Sequence, residues 1–521
     1  MGRKLIKHPF YTIVFLLFVF FAALPIAYTL FTALFVDGSF LGNLMLLNGG
    51  TLVLLLKSCI VAFIIAVFST LLGTVLGFLL YKTEVKFSGF FKIALLIPLL
   101  VSPYILAVAW KDFFYLVFNN AGFVASYVGV ILVLTTIFTP LSMLIIGSAL
   151  SNIDRQLEDT GLITTSFGRV VQKIMLPLIK PALVSSFVLV FIFSISEFSV
   201  PAFFGIKVFT TEIFTQFSAF YNHSLAIIQS ALLIVICVLL LFTEKKYIAD
   251  APFLSIGNKG TSNKRYKAKK RYGLAFLLGW LFISVVLPFI ILFAQSFKNG
   301  GHKFIMAFKL LMPTFGSSIG LAFIGSLIVV VIGFVVAHNS NRHTKNKTYF
   351  DFILLIVFAI PSTIFGISLI KFYNQPLLNF IYSSYAIIII GYVGKFSFIS
   401  AKLIGNALKQ VPKSFDEAAQ IKGISTFKRM QKITIPLILP TLFVSFIIIF
   451  IFSLGELGTT IMLYPPGTEI MPIKVFTIMA NAPQALVSSM ILIIFSITLS
   501  IISGFYFLVK PFIKKYSYAN N

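Results

Sequence analysis

The sequence predicts an all-α, polytopic membrane protein with about twelve transmembrane helices, arranged as two tandem six-helix halves. Hydrophobic residues make up 59% of its 521 residues and charged residues only 11%. With a mean hydropathy of +1.02, the chain is too apolar to surround a soluble core with polar surface. Long apolar stretches recur along the chain, and one half resembles the other, which predicts a structural repeat.

Apolar stretches long enough to cross a bilayer divide the chain from end to end. A hydrocarbon core of about 30 Å requires about 20 apolar residues in a helix. The first stretch follows three basic residues and is longer than the apolar region of a cleaved signal, so we expect an uncleaved span. The predicted spans are 10–35, 52–80, 90–117, 123–148, 181–204, 224–243, 273–296, 315–338, 350–372, 384–407, 441–463 and 485–509.

Positive charge is distributed as membrane topology requires. Lys and Arg number 41 against 15 Asp and Glu, but they fall between the apolar stretches, so the excess argues against nucleic-acid binding. Alternate loops carry most of them, with 297–312 as the exception. The positive-inside rule therefore predicts that both termini are cytoplasmic.

A basic stretch separates the two halves. Residues 244–271 are polar and rich in Lys and Arg, which predicts a cytoplasmic linker between a first half at 1–243 and a second half at 272–521. We interpret this linker as a solvated tether. The alternative interpretation is contact with anionic membrane lipid.

The two halves share a repeat at an offset of 259 residues. Glu158 to Glu197 aligns with Glu417 to Glu456 without a gap, and both stretches contain two prolines, a Gln-Lys pair and the terminal acids at matching positions. Apolar segments agree by chance in Leu, Ile and Phe, but not readily in these residues. Transport sites usually form where such repeats meet.

The second copy of the repeat contains a motif with defined spacing. Its residues are Glu417, Ala418, Ala419, Gly423, Ile433 and Pro436. The small alanines permit close approach, Gly423 permits a turn that larger residues resist, and Pro436 is expected to restart a helix at the membrane. Residues 409–440 resemble the EAA loop of ABC importer permeases. The resemblance implies two short cytoplasmic helices bent at the glycine, the first of which inserts into a cleft of an ATPase subunit.

The first copy, at 151–180, is more divergent. The matching residues are Glu158, Asp159, Thr164, Ile174 and Pro177. Both alanines and the glycine are replaced, and Gly168 is a candidate for a displaced bend. In a second possible register Asp159 is the acid and one residue is deleted. The sequence leaves both registers open.

The chain contains no motif for ATP hydrolysis or other catalysis. No segment matches the phosphate-binding pattern G-x-x-x-x-G-K-[ST]. The five histidines and the two cysteines, Cys59 and Cys237, lack the spacing of a metal site or a disulfide framework. We therefore expect no cofactor on this chain. The resemblance places ATP and Mg²⁺ on two copies of a separate ABC ATPase subunit, docked on the two loops.

Three ionisable residues lie deep inside the predicted spans: Glu197, Glu456 and Lys395. Such residues are costly in a bilayer and are functional candidates by default. They either line a gate or translocation path, or are paired and capped charges that stabilise helix packing. Lys395 and Glu456 lie at similar depth, which predicts an ion pair between them.

Prolines and glycines inside the spans predict two further features. Pro103 in span three and Pro361 in span nine are expected to bend their helices, either for alternating access or simply for packing. Gly73 and Gly77 in span two form a G-x-x-x-G pair that permits close helix contact.

Several stretches narrow the resemblance to one group. Pro98 to Trp110, Ser196 to Ala202 and Tyr464 to Glu469 are similar to fused permeases of the ferric-iron and thiamine importers, and the resemblance extends over nearly the whole chain. It implies a multi-pass protein of the bacterial cytoplasmic (inner) membrane that receives its substrate from an extracytoplasmic solute-binding protein. Iron(III), a hard cation that prefers oxygen ligands, is the expected substrate. Thiamine, polyamine and phosphonate remain open, and a secondary transporter is a distant alternative.

Overall fold

The computed structural model describes residues 9–35, 47–248, 266, 270–342, 347–411 and 413–518, and these are almost entirely helical. Ten long apolar helices and two bent helix pairs correspond to the twelve predicted spans. In chain order, spans one to twelve are Tyr11–Thr32, Gly49–Lys82, Ser88–Leu100 with Pro103–Phe118, Tyr127–Ser151, Phe167–Ser196, His223–Leu240, Tyr272–Ser296, His302–Ser340, Asp351–Ala359 with Ser362–Tyr373, Ala386–Lys409, Phe427–Gly455 and Gln484–Phe505.

Spans five and eleven end earlier than the sequence predicts. Hydropathy extends them to residues 204 and 463, but each span stops at the residue before an acid, Glu197 or Glu456. The acid is extended, and a short helix follows it, Ser199–Phe204 or Thr460–Leu463. A count of apolar residues continues across such a break because the residues beyond it are also apolar.

Spans three and nine are sharply bent at the predicted prolines. The two helices of span three meet at 95° and those of span nine at 103°. Pro103 begins the second helix of span three, and Pro361 immediately precedes the second helix of span nine. Proline lacks an N–H and disfavours a helical residue before it, so the chain leaves the helix at these positions.

The closest helix contacts repeat in the two halves. Span two packs on span four, and span eight packs on span ten. A methyl group on Gly73 would lie 2.3 Å from Ser142 Cβ, and one on Gly333 would lie 2.3 Å from Ser400 Oγ. A methyl group on Gly77 would lie 3.1 Å from the backbone nitrogen of Gly147 in span four, a looser but still tight contact. The packing role predicted for the glycine pair is thus confirmed, because only glycine leaves room for the facing backbone.

The first helix of each half lies against the other half. Span one packs on spans eight to ten, and Tyr11 Oη forms a 2.6 Å hydrogen bond with His338 Nδ1. Span seven packs along the first half, where Leu277 joins the apolar cluster of Leu76. The division at residues 243 and 272 stays a prediction, and of the linker only 244–248, 266, 270 and 271 are among the described residues.

Two short helices outside the spans lie on the same face of the bundle. We call Arg155–Thr164 the first loop helix and Lys413–Ile421 the second loop helix. The first connects span four to span five, and the second connects span ten to span eleven. The end of span two, where the chain leads to span three, lies on this face as well.

Candidate functional site

The second loop helix presents the first part of the predicted motif to solvent. Glu417 and Ala418 are exposed, whereas Ala419 is buried. Within the described part of the chain, the Glu417 side chain takes part in no hydrogen bond or ion pair. An exposed acid beside an exposed methyl group is a surface on which another protein can pack closely without displacing a contact of this chain.

Gly423 forms the bend that the motif implies. Its φ is +71°, a left-handed conformation that favours glycine. Its N–H donates to the Gln420 carbonyl at 2.9 Å, and the next N–H, of Ile424, donates to the Ala419 carbonyl at 3.1 Å. These bonds close the loop helix. Across the bend, Arg429 Nη1 donates to Gln420 Oε1 at 3.2 Å, so the two helical arms are also joined by side chains.

The motif prolines do not restart a helix at the membrane, contrary to prediction. In both copies a short helix continues through one π turn into the span, and the proline is the second residue of the α-helix that follows. In a π turn the backbone hydrogen bonds join residues five apart instead of four, so the helix changes locally but is not broken. The π turns are Val171–Met175, which contains Ile174 and precedes Pro177, and Met430–Thr434, which contains Ile433 and precedes Pro436.

In the first copy, the chain bends after the loop helix without a left-handed residue. Thr164, which aligns with Gly423 at the 259-residue offset, stays in the helix, and the chain turns at Thr165 and Ser166, which are extended. Gly168 lies in the following helical turn and not at a bend. The displaced bend assigned to Gly168 is therefore wrong, because two extended residues make the turn without a left-handed conformation.

The structure distinguishes the two registers of the first copy. The two loop helices begin at residues 155 and 413, 258 apart, while the following helices begin at 167 and 426, 259 apart. Burial supports the same shift, since the buried small residues Gly161 and Ala419 are also 258 apart. The first copy thus lacks one residue between its helices. Asp159, and not Glu158, corresponds to the exposed Glu417.

Glu158 is buried in a network that sequence analysis missed. It is fully buried and forms an ion pair with Lys82 at the end of span two. Tyr266 of the linker donates its hydroxyl hydrogen to Glu158 Oε2 at 2.5 Å. Burial and this carboxylate raise the pKa of Tyr266 above its usual range, so the hydroxyl stays a donor. Glu158 therefore binds within the chain and is not available to a partner.

Glu197 and Glu456 occupy equivalent positions and cap the short helices that follow them. Glu456 accepts the N–H of Thr459 at 2.6 Å, the N–H of Thr460 at 2.9 Å, and the Thr460 hydroxyl. Glu197 accepts the N–H of Ser199 at 3.1 Å together with the Ser199 hydroxyl. Both carboxylates thus accept hydrogen bonds from neighbouring groups. These bonds offset the free-energy cost of burying the carboxylates in the membrane.

Replacing Glu456 by glutamine is expected to destabilise the protein by roughly 2 kcal/mol, the size of a hydrogen bond to a charged group. The amide keeps one acceptor oxygen but turns a donor toward the N–H groups of Thr459 and Thr460. The thermal unfolding midpoint of the purified protein measures the effect, and Glu197→Gln is the matched change in the first half. Full stability with lost transport would instead assign the carboxylate to the translocation path.

Lys395 does not pair with Glu456 as predicted. Its ammonium donates to the backbone carbonyls of Ile360 at 2.9 Å and Phe358 at 3.4 Å, at the break in span nine. The ion pairs of the described residues do not include Lys395. The bend at Pro361 releases these carbonyls from helical bonding, and the buried ammonium satisfies them.

The halves meet around the two bent spans. Beside the break in span three, Ser102 Oγ donates to the Gly455 carbonyl at 2.8 Å, and a cavity of about 70 Å³ opens there. Farther along span three, Ser488 donates to the buried carboxylate of Asp112 at 3.2 Å. Sequence analysis missed Asp112, although an acid between apolar residues 103 and 118 was a visible signal. Pro103 is thus close to the interface between the halves.

Comparisons with known proteins agree with this architecture. Residues 329–515 match the family described as "Binding-protein-dependent transport system inner membrane component". The chain is 24% identical over 437 residues to the Fe(3+)-transport system permease protein FbpB 2 of Haemophilus influenzae, which covers 82% of this chain and 84% of that protein. It is 23% identical over 512 residues to the ferric transport system permease protein FbpB of Actinobacillus pleuropneumoniae, covering 90% and 73%.

A shorter similarity involves another substrate. The chain is 24% identical over 187 residues to the putative 2-aminoethylphosphonate transport system permease protein PhnV of Salmonella typhi, covering 35% of this chain and 70% of that protein. The two long matches extend over both halves, since each covers more than four fifths of the chain. The chain is therefore similar to the binding-protein-dependent transport system inner membrane components over residues 329–515, and to ferric transport permeases over both of its halves.

Proposed function

We propose that this chain is the permease of an ATP-driven importer that passes iron(III) across the inner membrane after an extracytoplasmic binding protein delivers it. The observation that carries the proposal is the extent of similarity. The ferric transport permeases match 82% and 90% of the chain, and therefore both halves. The aminoethylphosphonate permease matches only 35%.

Two copies of a separate ABC ATPase subunit dock on the two loop helices. The exposed Glu417 and Ala418, followed by the bend at Gly423, support this assignment for the second loop helix. ATP and Mg²⁺ bind to those subunits, since the sequence contains no phosphate-binding loop. We propose that the docking face is cytoplasmic and that both termini lie on the same side, as the positive-inside rule predicts.

The second loop helix is connected to the far side of the membrane by one continuous helix. Span eleven contains 29 residues, a length of roughly 43 Å at 1.5 Å per residue. It starts close to the bend at Gly423 and ends at the Glu456 cap. Displacement of the loop helix by the ATPases moves this rod against the other half, which is the kind of motion that alternating access requires.

The substrate assignment has alternatives within the same class. Thiamine, polyamine and phosphonate importers have permeases of the same architecture, and discrimination among substrates depends on the separate binding protein. Among the described residues, no three His, Cys, Asp or Glu side chains gather as metal ligands.

Uptake of radioactive iron(III) citrate by cells with and without the chain tests the proposal. We expect uptake to require the chain, to fall more than about tenfold on ATP depletion, and to persist in the presence of thiamine or 2-aminoethylphosphonate. Competition by either compound would reassign the substrate. Uptake that survives ATP depletion but stops when the proton gradient is dissipated would indicate a secondary transporter instead.

A further inference from the structure

One linker residue, Tyr266, is built into the first half. Its N–H donates to the Lys82 carbonyl at 2.7 Å, and its carbonyl accepts the N–H of Glu84 at 3.0 Å. These two bonds place residue 266 beside the end of span two as a single bridge of extended backbone. The linker is thus attached to the loop that follows span two, at a point close to the start of span seven.

The Tyr266 side chain reaches across to the first loop helix. Its hydroxyl donates to Glu158 at 2.5 Å, and its ring lies 4.8 Å from that of Phe167, centroid to centroid. Phe167 in turn contacts Phe78 of span two at 6.1 Å. We call the first loop helix and the helix that follows it, Phe167–Val170, the two arms of the first docking loop. Tyr266 contacts the first arm through its hydroxyl and the second arm through its ring.

The Glu158 carboxylate makes this contact strong. Its side chain is completely buried and the Lys82 side chain is only 6% exposed, so neither charge is stabilised by bulk water. A buried carboxylate that loses one of its hydrogen-bond donors is strongly destabilised. The three residues Lys82, Glu158 and Tyr266 form one network whose members depend on one another.

The first docking loop lacks the device that shapes the second one. In the second loop, left-handed Gly423 and the bond from Arg429 to Gln420 set the angle between the two arms. The first loop has no left-handed glycine at its bend and turns through the extended residues Thr165 and Ser166. Extended residues alone leave that angle less restricted, and the contacts of Tyr266 with both arms supply the restriction.

We propose that Tyr266 is a positioning residue that holds the first loop helix at the angle required for docking of the ATPase. The inference rests on the proposed function, since it concerns the same docking surface. Because span seven begins a few residues beyond Tyr266 and packs along the first half, the linker also couples the first docking loop to the second half of the chain.

The test uses Tyr266→Phe in the full-length permease, in lipid nanodiscs, with its purified ATPase. This change removes the hydroxyl but keeps the ring and the backbone bonds. The exposed Tyr272, at the start of span seven, provides the matched control Tyr272→Phe. Hydrogen exchange of residues 155–164 reports the loop helix, and titration with the ATPase reports docking. Affinity is measured in the parent chain and in Glu417→Arg, where docking depends on the first loop.

We expect Tyr266→Phe to accelerate exchange over residues 155–164 roughly tenfold, and to weaken ATPase binding roughly tenfold in the Glu417→Arg background, the effect of one charge-assisted hydrogen bond. Tyr272→Phe should change neither quantity. Faster exchange with unchanged affinity would overturn the inference, because Tyr266 would then only stabilise the loop. Unchanged exchange would overturn it as well.

Two further results separate this inference from the proposed function. If Glu417→Arg alone leaves ATPase binding unchanged, the docking surface itself is wrongly assigned, whatever Tyr266 does. If Tyr266→Phe cannot be purified, Glu158→Gln replaces it, since the amide oxygen still accepts a hydrogen bond but carries no charge. The same pair of changes is then expected, and larger in size, because Lys82 is also left buried without its counter-charge. An unchanged loop helix counts against the inference.

Discussion

Arginine in place of Glu417 will weaken the binding of the ATPase to the permease by roughly a hundredfold, the order expected for reversing one charge within a contact surface. Glu417 is exposed on the second loop helix, and in the described part of the chain its side chain has no partner of its own. The substitution therefore removes nothing from the fold of the permease. The loss must come from the docking surface.

Titration of the purified permease with its ATPase measures this effect, and iron(III) uptake by cells should fall in parallel. Glu469→Arg is a suitable control, because it is the same chemical change at an exposed acid on the opposite face of the membrane, where Glu469 pairs with Lys474. That exposed pair contributes little to stability. If Glu469→Arg weakens ATPase binding as much as Glu417→Arg, the effect is one of net charge and not of docking.

Asp159 provides the corresponding test in the first half. The structure aligns it with Glu417, but it is less exposed, and the first loop helix is held by the Glu158 network. We therefore expect Asp159→Arg to weaken ATPase binding less than Glu417→Arg does. The two loop helices and their bends are thus unequal in construction, although the proposed function docks the same ATPase on both of them.

Hydropathy and the internal repeat were sufficient to predict the twelve spans and the two loops that contain the loop helices, because both signals extend over many residues. The bends at Pro103 and Pro361 were also predictable, since proline acts on its own backbone. The breaks before Glu197 and Glu456 were not, because the side chain that caps the next helix is recognised only when the helix geometry is known.

The partners of buried charges were the least predictable feature. Lys395 and Glu456 have opposite charges at similar depth in the predicted spans, and the sequence alone therefore predicts an ion pair. Instead, each binds the backbone or hydroxyl groups closest to it. Carbonyls become available to Lys395 only because span nine bends by 103°. Similarly, nothing in the sequence around Tyr266 indicates that the linker returns to Glu158.

Replacing Lys395 by methionine will destabilise the permease by several kcal/mol, and we expect little folded protein in the membrane. Methionine matches the length of lysine but donates no hydrogen bond. The carbonyls of Phe358 and Ile360 then stay buried without this donor, at about 1–3 kcal/mol each. The end of the helix at Ala359 also loses the cation that offsets its dipole.

The level of folded protein and its thermal unfolding midpoint measure the change. Lys402→Met is the matched control on the same span, because Lys402 is partly exposed and its ammonium contacts Asp351 in a 3.5 Å ion pair and the Phe398 ring at 5.4 Å, rather than buried carbonyls. Lys395→Arg retains donors and should recover part of the stability. If Lys395→Met unfolds at the parental temperature yet transports no iron(III), the ammonium acts on the solute in the translocation path and its bonds to the broken helix are incidental.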